Sequence, residues 1–366
     1  MARARPTGTG WFIWQLDKIL DRITFARMVE ILHASNASWV SIKMLDGMTK
    51  KNNGAIPGGD VGLRRIIDDL HIEGFQVGGW AYVYSGNLMS PGGQAGAAGE
   101  RYQKFPLDHW KVDAEENPGN WCSDPNNKRH AAVYMGQLKG AGVPDTAPVA
   151  LCSFRQPTTY QPTFPARTFL HTRENNPNDY VAQQLYWIGR HNPTEQLVAS
   201  MKEYEALKQG NAYVPIGPAW HDDRSNWEPT ISDLQTFIVD AAKLGCSGVG
   251  FWSLDWVIQH NRMDWIKAIG AVSGGGTPPP PPPPPPPPEE VDTLTFKYTG
   301  SDTQSLTVRQ APNAGGARVG ALAPGTVFEA SDVGGSSAWV QLADGPYKGN
   351  WVCVQLNTSH LCEVVK

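Results

Sequence analysis

The residues best suited to chemistry lie in segment 109–117, which reads His-Trp-Lys-Val-Asp-Ala-Glu-Glu-Asn. Because side chains alternate along a strand, Asp113 and Glu115 would share one face with Lys111, while apolar residues occupy the other face. Residues two apart on a strand are separated by roughly 6–7 Å. Two carboxyl groups at that spacing can act as proton donor and as base or nucleophile in glycoside hydrolysis. Solvated loop acids or salt-bridge partners are the alternative interpretation, and spacing alone does not decide between the two.

The two acids are predicted to differ in protonation. Glu115 lies nearer the end of the strand and is flanked by aromatic residues, where desolvation would raise its pKa and keep it protonated as the proton donor. Asp113 lies deeper, near Lys111 or Lys43, and is predicted to stay ionised.

The pattern around this segment predicts the elements that position it. Residues 11–272 alternate strand-like and helix-like segments, which is typical of an α/β domain with a parallel sheet. The strand candidates are Trp11–Asp17, Trp39–Leu45, Gln76–Tyr84, Trp110–Glu115, Val149–Phe154, Ala182–Trp187, Tyr213–Trp220 and Gly248–Asp255. The helix candidates are Thr24–Ala34, Leu63–Leu70, Ala131–Leu138, Glu195–Leu207 and Thr230–Leu244. Eight such units in about 260 residues predict a closed (β/α)8 barrel with its reactive groups at the C-terminal ends of the strands; a doubly wound open sheet is the alternative.

Alternation within the other strands adds candidates for the mouth of the barrel. Strand one, with Phe12, Trp14 and Leu16 facing outward, would turn Gln15 and Asp17 inward. Aromatic rings at strand ends can stack on the apolar faces of sugars. The same rings can instead fill the core, which is the preferred interpretation for Trp14. The predicted substrate-binding residues are Gln15, Lys43, Trp80, Tyr82, Tyr84, Tyr186, Trp187, Trp220, Trp252 and Asp255.

The composition argues against several other classes of protein. The chain has 366 residues with 31 basic and 35 acidic side chains, so no basic face for a nucleic-acid partner is expected. Its five cysteines lack metal-like spacing, and their odd number argues against a disulfide framework. No apolar run of about 18 residues predicts a membrane span, and neither GxGxxG nor a P-loop supports nucleotide binding. The triplet His221-Asp222-Asp223 resembles a common surface-loop cluster, so no metal and no cofactor are predicted.

The first ten residues carry arginines but no following apolar segment, so a secretory signal peptide is not predicted. The protein is therefore expected to be made in the cytoplasm. If its target is the cell wall or lies outside the cell, it would arrive there after lysis or by non-classical export.

A run of eleven prolines, Pro278–Pro288, follows a Gly-rich segment and marks the clearest boundary in the chain. Such a run adopts polyproline II and acts as a stiff spacer of about 3 Å per residue; a ligand for a proline-binding module is the alternative. The predicted organisation is a barrel domain over 1–273, a linker over 274–292 and a small β-rich domain over 293–366.

Several segments of the barrel domain carry a family resemblance: Trp39–Lys43 with Gly47, Gly74–Tyr82, Val112–Glu115 and Gln184–Trp187. Through them, residues 11–272 resemble the family 25 glycoside hydrolases, the lysozymes of bacteria and phages. The resemblance implies that Glu115 is the proton donor and Asp113 its partner carboxylate. Where the family's first strand carries Gly-Ile-Asp, this chain reads Trp-Gln-Leu-Asp, and Asp17 would be a third catalytic acid.

The C-terminal segment carries a second resemblance. Leu306–Pro312 reads Leu-Thr-Val-Arg-Gln-Ala-Pro, which matches the Leu-x-Val-Arg-x-x-Pro opening of bacterial SH3-like domains. The similarity continues through Trp339–Leu342 and Gly349–Val352. It implies a domain that binds the bacterial cell wall.

Both resemblances together predict a muramidase-type peptidoglycan hydrolase that cleaves a β-1,4 glycosidic bond by carboxylate chemistry. Peptidoglycan would be the partner of both domains, the glycan held by the barrel and the wall by the SH3-like domain. The alternatives are a non-catalytic wall-binding or structural component of a phage-like particle, and a barrel glycosidase that acts on another polysaccharide.

Overall fold

The computed structural model describes most of the chain up to residue 273 and parts of the remainder. The described residues are 4–50, 56–116, 118–173, 176–273, 294–299, 305–309, 317–334, 339–342, 346, 348, 350–353, 355–356, 359–360 and 362–364. The chain divides into two compact units, 1–280 and 281–366. The predicted linker 274–292 lies outside the described residues.

The first unit is a closed barrel of parallel strands. Its strands are β1 Gly8–Ile13, β2 Ala37–Asp46, β3 Thr49–Lys50, β4 Gln76–Val83, β5 His109–Ala114, β6 Val149–Phe154, β7 Tyr180–Gln184, β8 Ala212–Tyr213, β9 Ile216–Pro218 and β10 Gly248–Trp252. Neighbouring strands pair in parallel around the ring, and β1 pairs with both β2 and β10, which closes it. The short strands β8 and β9 together occupy one strand position of the barrel, between β7 and β10. Strand β3 pairs with β2 in antiparallel orientation. The predicted (β/α)8 barrel is therefore confirmed.

Helices surround the ring: α1 Leu16–Leu20, α2 Phe25–Ala34, α3 Gly59–Ile72, α4 Pro91–Lys104, α5 Asn127–Ala141, α6 Pro157–Tyr160, α7 Ala166–His171, α8 Pro193–Leu207, α9 Ile231–Lys243, α10 Leu254–Gln259 and α11 Met263–Ser273. Local sequence sets their ends. The α9 helix begins with a capping box between Thr230 and Asp233, and Gly245, with φ of +79°, follows its end. In the part of the chain that the structure describes, no helix is long and apolar enough to cross a membrane.

Two separate apolar layers fix which way each strand side chain points. Val112 and its alternating neighbours pack outward against the helices, whereas Trp80 and Phe12 lie inside the ring. Alternation therefore predicted the facing of β4 and β5 correctly, and that of β2 as far as Met44.

Strand β1 departs from its prediction. Phe12 faces the interior, Trp11 and Ile13 face the helices, and the strand ends at Ile13. The next segment is the α1 helix, because Leu16 and Ile19, three residues apart, bury one helical face. Gln15 and Asp17 therefore do not lie on a strand and do not occupy the predicted inward-facing positions.

The second unit is a small antiparallel β-structure. Its strands are β11 Leu294–Tyr298, β12 Leu306–Arg309, β13 Arg318–Leu322, β14 Val327–Gly334, β15 Trp339–Leu342, β16 Trp351–Cys353, β17 Gln355–Leu356, β18 Ser359–His360 and β19 Cys362–Val364. Seven of them form one sheet in the order β13-β12-β16-β15-β14-β11-β19, and β17 pairs with β18. Its core includes Tyr298, Val308, Phe328 and Val352.

Candidate active site

Two carboxyl groups meet at the C-terminal end of β5, where Asp113 lies in the strand and Glu115 directly follows it. Gln184, the last residue of β7, donates its amide Nε2 to Asp113 Oδ1 at 2.9 Å and to Glu115 Oε1 at 2.6 Å. The two carboxyls lie within hydrogen-bonding reach of each other. Asp113 is 4% exposed, and Glu115 is half-buried. The predicted pair is therefore brought together at the mouth of the barrel.

A small residue on the intervening strand makes this bridge possible. Strand β6 separates β5 from β7, and its Cys152 lies in register with Asp113. The thiol leaves room for the longer Gln184 side chain, whose Nε2 lies 3.8 Å from Cys152 Sγ. The amide therefore reaches across one strand to hold both carboxyls.

Burial raises the pKa of both carboxyls, and the negative charge of Glu115 raises that of Asp113 further, well above its ordinary value. A hydrogen bond between them requires a proton on one of the two oxygens. Two buried carboxylates this close repel, so the pair keeps a shared proton. The sequence predicts that a neighbouring lysine keeps Asp113 ionised. Lys43 does lower the pKa of Asp113, but burial raises it by more, so the net shift is upward.

Lys111, the other predicted neighbour of Asp113, points into the barrel interior. Its ammonium nitrogen donates to Ser41 Oγ and lies 2.8 Å from His109 Nε2. The same nitrogen lies 4.3 Å from the centre of the Trp39 ring. Complete burial lowers the pKa of Lys111 well below its usual range. Lys111 therefore belongs to a polar floor of the barrel rather than to the acid pair.

Polar and aromatic side chains from β2 and β4 form one wall of the mouth. Lys43 donates to Asp46 Oδ2 at 3.0 Å, and Tyr84 donates to Asp46 Oδ1 at 2.6 Å. Lys43 Nζ also lies 4.9 Å from the centre of the Trp80 ring. Burial and then Asp46 raise the pKa of Tyr84 to about 12, so its hydroxyl remains a donor. Tyr82 Oη accepts the Gly119 N–H at 3.0 Å, which anchors the loop after β5.

A column of aromatic rings adjoins this wall, and its members differ in exposure. The Trp252 ring lies 5.4 Å from Trp80, 5.9 Å from Phe12 and 6.4 Å from Trp14. Phe12 and Trp80 are buried, Trp252 is half-buried, and Trp14 is 44% exposed. The sequence predicts that Trp14 lies in the core, but the residue follows the end of β1 and presents its indole at the mouth.

A second aromatic contact lies beside the carboxyl pair. The rings of Tyr186 and Trp220 meet edge to face with centroids 4.5 Å apart, and both side chains are half-buried. Burial raises the pKa of the Tyr186 hydroxyl, and the charges of Glu115 and Asp113 add to that effect. These two predicted sugar-binding residues therefore share one surface close to the acids.

Four predicted site residues have other positions. Trp187 is 1% exposed and packs against Phe237 between the strands and α9, because the chain turns outward after β7. Asp255 is buried in α10 and accepts the Trp14 backbone N–H at 2.9 Å, so it joins α10 to the end of β1. Gln15 precedes α1, and Asp17 within α1 faces Lys18 Nζ at 3.9 Å. None of these four positions supports the predicted role.

The charged residues of the loop after β9 form ion pairs with one another and with Arg262. His221 lies 3.7 Å from Asp223 and 3.8 Å from Glu228, and Glu228 is also paired with Arg262 at 2.6 Å. Over the residues that are described, no group of three or more His, Cys, Asp or Glu side chains is arranged to hold a metal ion.

Comparisons with known proteins support the barrel. Neither the protein-family models nor the curated proteins gave a match to the sequence. Among solved structures, a GH18 chitinase from Pseudoalteromonas aurantia is similar, with a TM-score of 0.54, 14% identity, and coverage of 73% of this chain and 100% of that chain. The C-terminal domain of a putative chitinase from Desulfitobacterium hafniense gives a TM-score of 0.51 at 10% identity, covering 73% of this chain and 99% of that chain. At these identities the likeness shows a common (β/α)8 fold.

Proposed function

We propose that the first unit is a glycoside hydrolase that cleaves β-1,4 bonds in a polymer of 2-acetamido sugars, with Glu115 as the proton donor. The observation that carries this proposal is the buried pair of Asp113 and Glu115, bridged by Gln184 at the mouth of the barrel. The more accessible Glu115 is placed to reach a substrate oxygen, and Asp113 lies behind it.

The short distance between the two carboxyls bears on which mechanism of glycoside hydrolysis the site can use. Inverting enzymes separate their carboxyls by roughly 6.5–9.5 Å, and retaining enzymes with a carboxylate nucleophile separate them by about 5–5.5 Å. Here one amide nitrogen contacts both groups, and the two carboxyls lie within hydrogen-bonding reach of each other. With the two carboxyls this close, both would lie on the same side of the sugar ring, and neither could attack from the opposite face. The arrangement therefore favours a nucleophile supplied by the substrate.

The acetamido group at C2 of the sugar is such a nucleophile. Its carbonyl oxygen bonds to C1 while the bond from C1 to the leaving oxygen breaks, and Glu115 gives its proton to that oxygen. The resulting cyclic cation is positive at its N–H, where the Asp113 carboxylate can accept a hydrogen bond. Water, deprotonated by Glu115, then attacks C1 and reopens the ring, which restores the acid and retains the configuration.

Peptidoglycan is the preferred substrate. Both of its alternating sugars carry the required acetamido group, and the Asp-x-Glu resemblance to family 25 lysozymes points to the same polymer. The Leu306–Pro312 motif adds an expected wall-binding domain, which would raise the local substrate concentration. Chitin is the second candidate, because both similar barrels reported above are described as chitinases.

Product analysis tests the proposal. Purified peptidoglycan and chitin oligosaccharides are digested, the products are identified by mass spectrometry, and the anomer formed first is read by NMR. We expect new reducing ends in the β configuration with wild type and a loss of at least about a hundredfold with Glu115→Gln. Unchanged activity in Glu115→Gln, or an α anomer as the first product, would overturn the assignment.

The same digestion addresses the non-catalytic alternatives. A wall-binding or particle component would sediment with peptidoglycan without releasing reducing ends from any substrate. Cleavage of de-N-acetylated chitosan at the same rate as chitin would instead favour a glycosidase without acetamido participation.

A further inference from the structure

A β-bulge in β2 turns an unexpected acid toward the mouth of the barrel. Lys43 pairs with Trp80 and Asp46 pairs with Tyr82, so three residue steps on β2 match two on β4. The extra residue lets Met44 and Leu45 both pack outward. Simple alternation would have turned Asp46 outward with Met44; the bulge directs it inward instead.

Both oxygens of Asp46 are occupied by side chains of this wall, Lys43 on one and Tyr84 on the other. Lys43 is thereby in an ion pair that is largely withdrawn from water, with its side chain 7% and that of Asp46 27% exposed. The Lys43 ammonium also acts electrostatically on the nearby acid pair and lowers the pKa of both carboxyls. The Lys43 cation therefore interacts both with Asp46 and with the Asp113–Glu115 pair.

The described neighbours of Lys43 include residues of β1, β2 and β4. Strand β1 contributes the uncharged Phe12, which lies beside the same Trp80 ring. The titratable groups that face the mouth from β2, from β4 and from the strands beyond are Asp46, Tyr82, Tyr84, Asp113, Glu115, Cys152 and Tyr186. Among these described residues, the carboxyl groups are those of Asp46 and of the Asp113–Glu115 pair, so Asp46 competes with the pair for the lysine.

We propose that Asp46 is a positioning residue that holds the Lys43 ammonium against itself and so allows the Asp113–Glu115 pair to keep its proton. The inference rests on the proposed function, since a retained proton is what glycosidic bond cleavage requires. Asp46 acts through Lys43 and need not touch the sugar.

The two single variants of the ion pair should shift the titration of the Asp113–Glu115 pair in opposite directions, and the double variant should cancel the shift. Asp46→Asn removes an anion and frees Lys43, so the pair should lose its proton about one pH unit lower than in wild type. Lys43→Met removes the cation, so the pair should lose its proton about one unit higher. Because the double variant removes both charges, its titration should return to within a few tenths of a unit of wild type.

The titration is measured directly, without reliance on catalysis. The C=O stretch of the protonated carboxyls is followed by infrared difference spectroscopy against pH, and the signals are assigned by their loss in Asp113→Asn and Glu115→Gln. Asp68→Asn on α3 makes the same chemical change at a carboxylate that is 44% exposed, and should leave the titration unchanged. Thermal unfolding confirms that each variant is folded.

Shifts of opposite sign that cancel in the double variant support the inference. Folded Asp46→Asn and Lys43→Met proteins that titrate like wild type would overturn it. A wild type with this titration behaviour but no hydrolysis of any glycan would defeat the proposed function while leaving the charge arrangement established. Where hydrolysis is observed, the alkaline limb of kcat should move with the infrared titration in each variant.

Discussion

Gln184 Nε2 lies 2.6 Å from Glu115 Oε1, a contact between the ends of two strands that are separated by a third. The same nitrogen also donates to Asp113. Hydrogen bonds to charged groups contribute about 1.5–3 kcal/mol each. Gln184→Met keeps the length of the side chain and removes the donor, so we expect kcat to fall about tenfold to a hundredfold with little change in KM. Steady-state kinetics on oligosaccharides measure this, and an unchanged kcat in a folded variant would show that the bridge is not needed.

The shared proton predicts a specific change in pH dependence. In wild type the two carboxyls share one proton, and the negative charge that the pair already carries opposes the loss of that proton, which holds the alkaline limb of kcat high. Asp113→Asn removes that charge, so the limb should move to lower pH by about one unit or more, together with a reduced kcat. The measurement is kcat from pH 4 to pH 9 in both proteins. A limb that stays in place would mean that the two carboxyls do not titrate as a pair.

The burial of Asp113 predicts that the folded protein loses stability as pH rises above about 4. Because the pKa of Asp113 is raised in the folded protein, the folded state holds a proton that the unfolded chain releases above about pH 4. The free energy of unfolding should therefore fall as pH rises toward the raised pKa, by up to about 1.4 kcal/mol per pH unit. Asp113→Asn should lose less stability than wild type between pH 4.5 and pH 8 in urea denaturation.

A second buried acid provides the background for that comparison. Burial raises the pKa of Asp179 to about 6, so it lowers stability over the same range in both proteins. Subtracting the two pH profiles removes this contribution. If Asp113→Asn and wild type lose stability in parallel, the proton is not held by Asp113 in the folded state.

Sequence patterns predicted the part of the site that depends on local geometry. Alternation along β5 is sufficient to bring Asp113 and Glu115 to one face, and the position of β5 in a barrel turns that face to the mouth. Alternation also placed Lys43, Trp80 and Tyr82 inside. These inferences need only the strand period and the buried outer layer.

The errors arise where local pattern and tertiary structure diverge. The run Trp11–Ile13 is apolar throughout, so its phase cannot be read from alternation, and Trp14 was assigned to the wrong environment. Asp46 was missed because a bulge has no sequence signal of its own here. The ionisation of Asp113 depends on burial and on Gln184, which lies 71 residues away in the chain.

The sequence analysis places Trp14 in the core and Trp187 at the substrate, whereas the structure shows Trp14 exposed and Trp187 buried, so the two should respond differently to substitution. Trp14 is 44% exposed beside Trp252, so Trp14→Ala should leave the free energy of unfolding nearly unchanged and raise KM for long oligosaccharides more than for short ones. Trp187 is packed against Phe237, so Trp187→Ala should destabilise the protein by about 3–5 kcal/mol. Denaturant titration and KM as a function of chain length measure both effects. An equal rise in KM for short and long substrates in Trp14→Ala would exclude an outer sugar contact, because only a chain that extends beyond the acid pair can reach that indole.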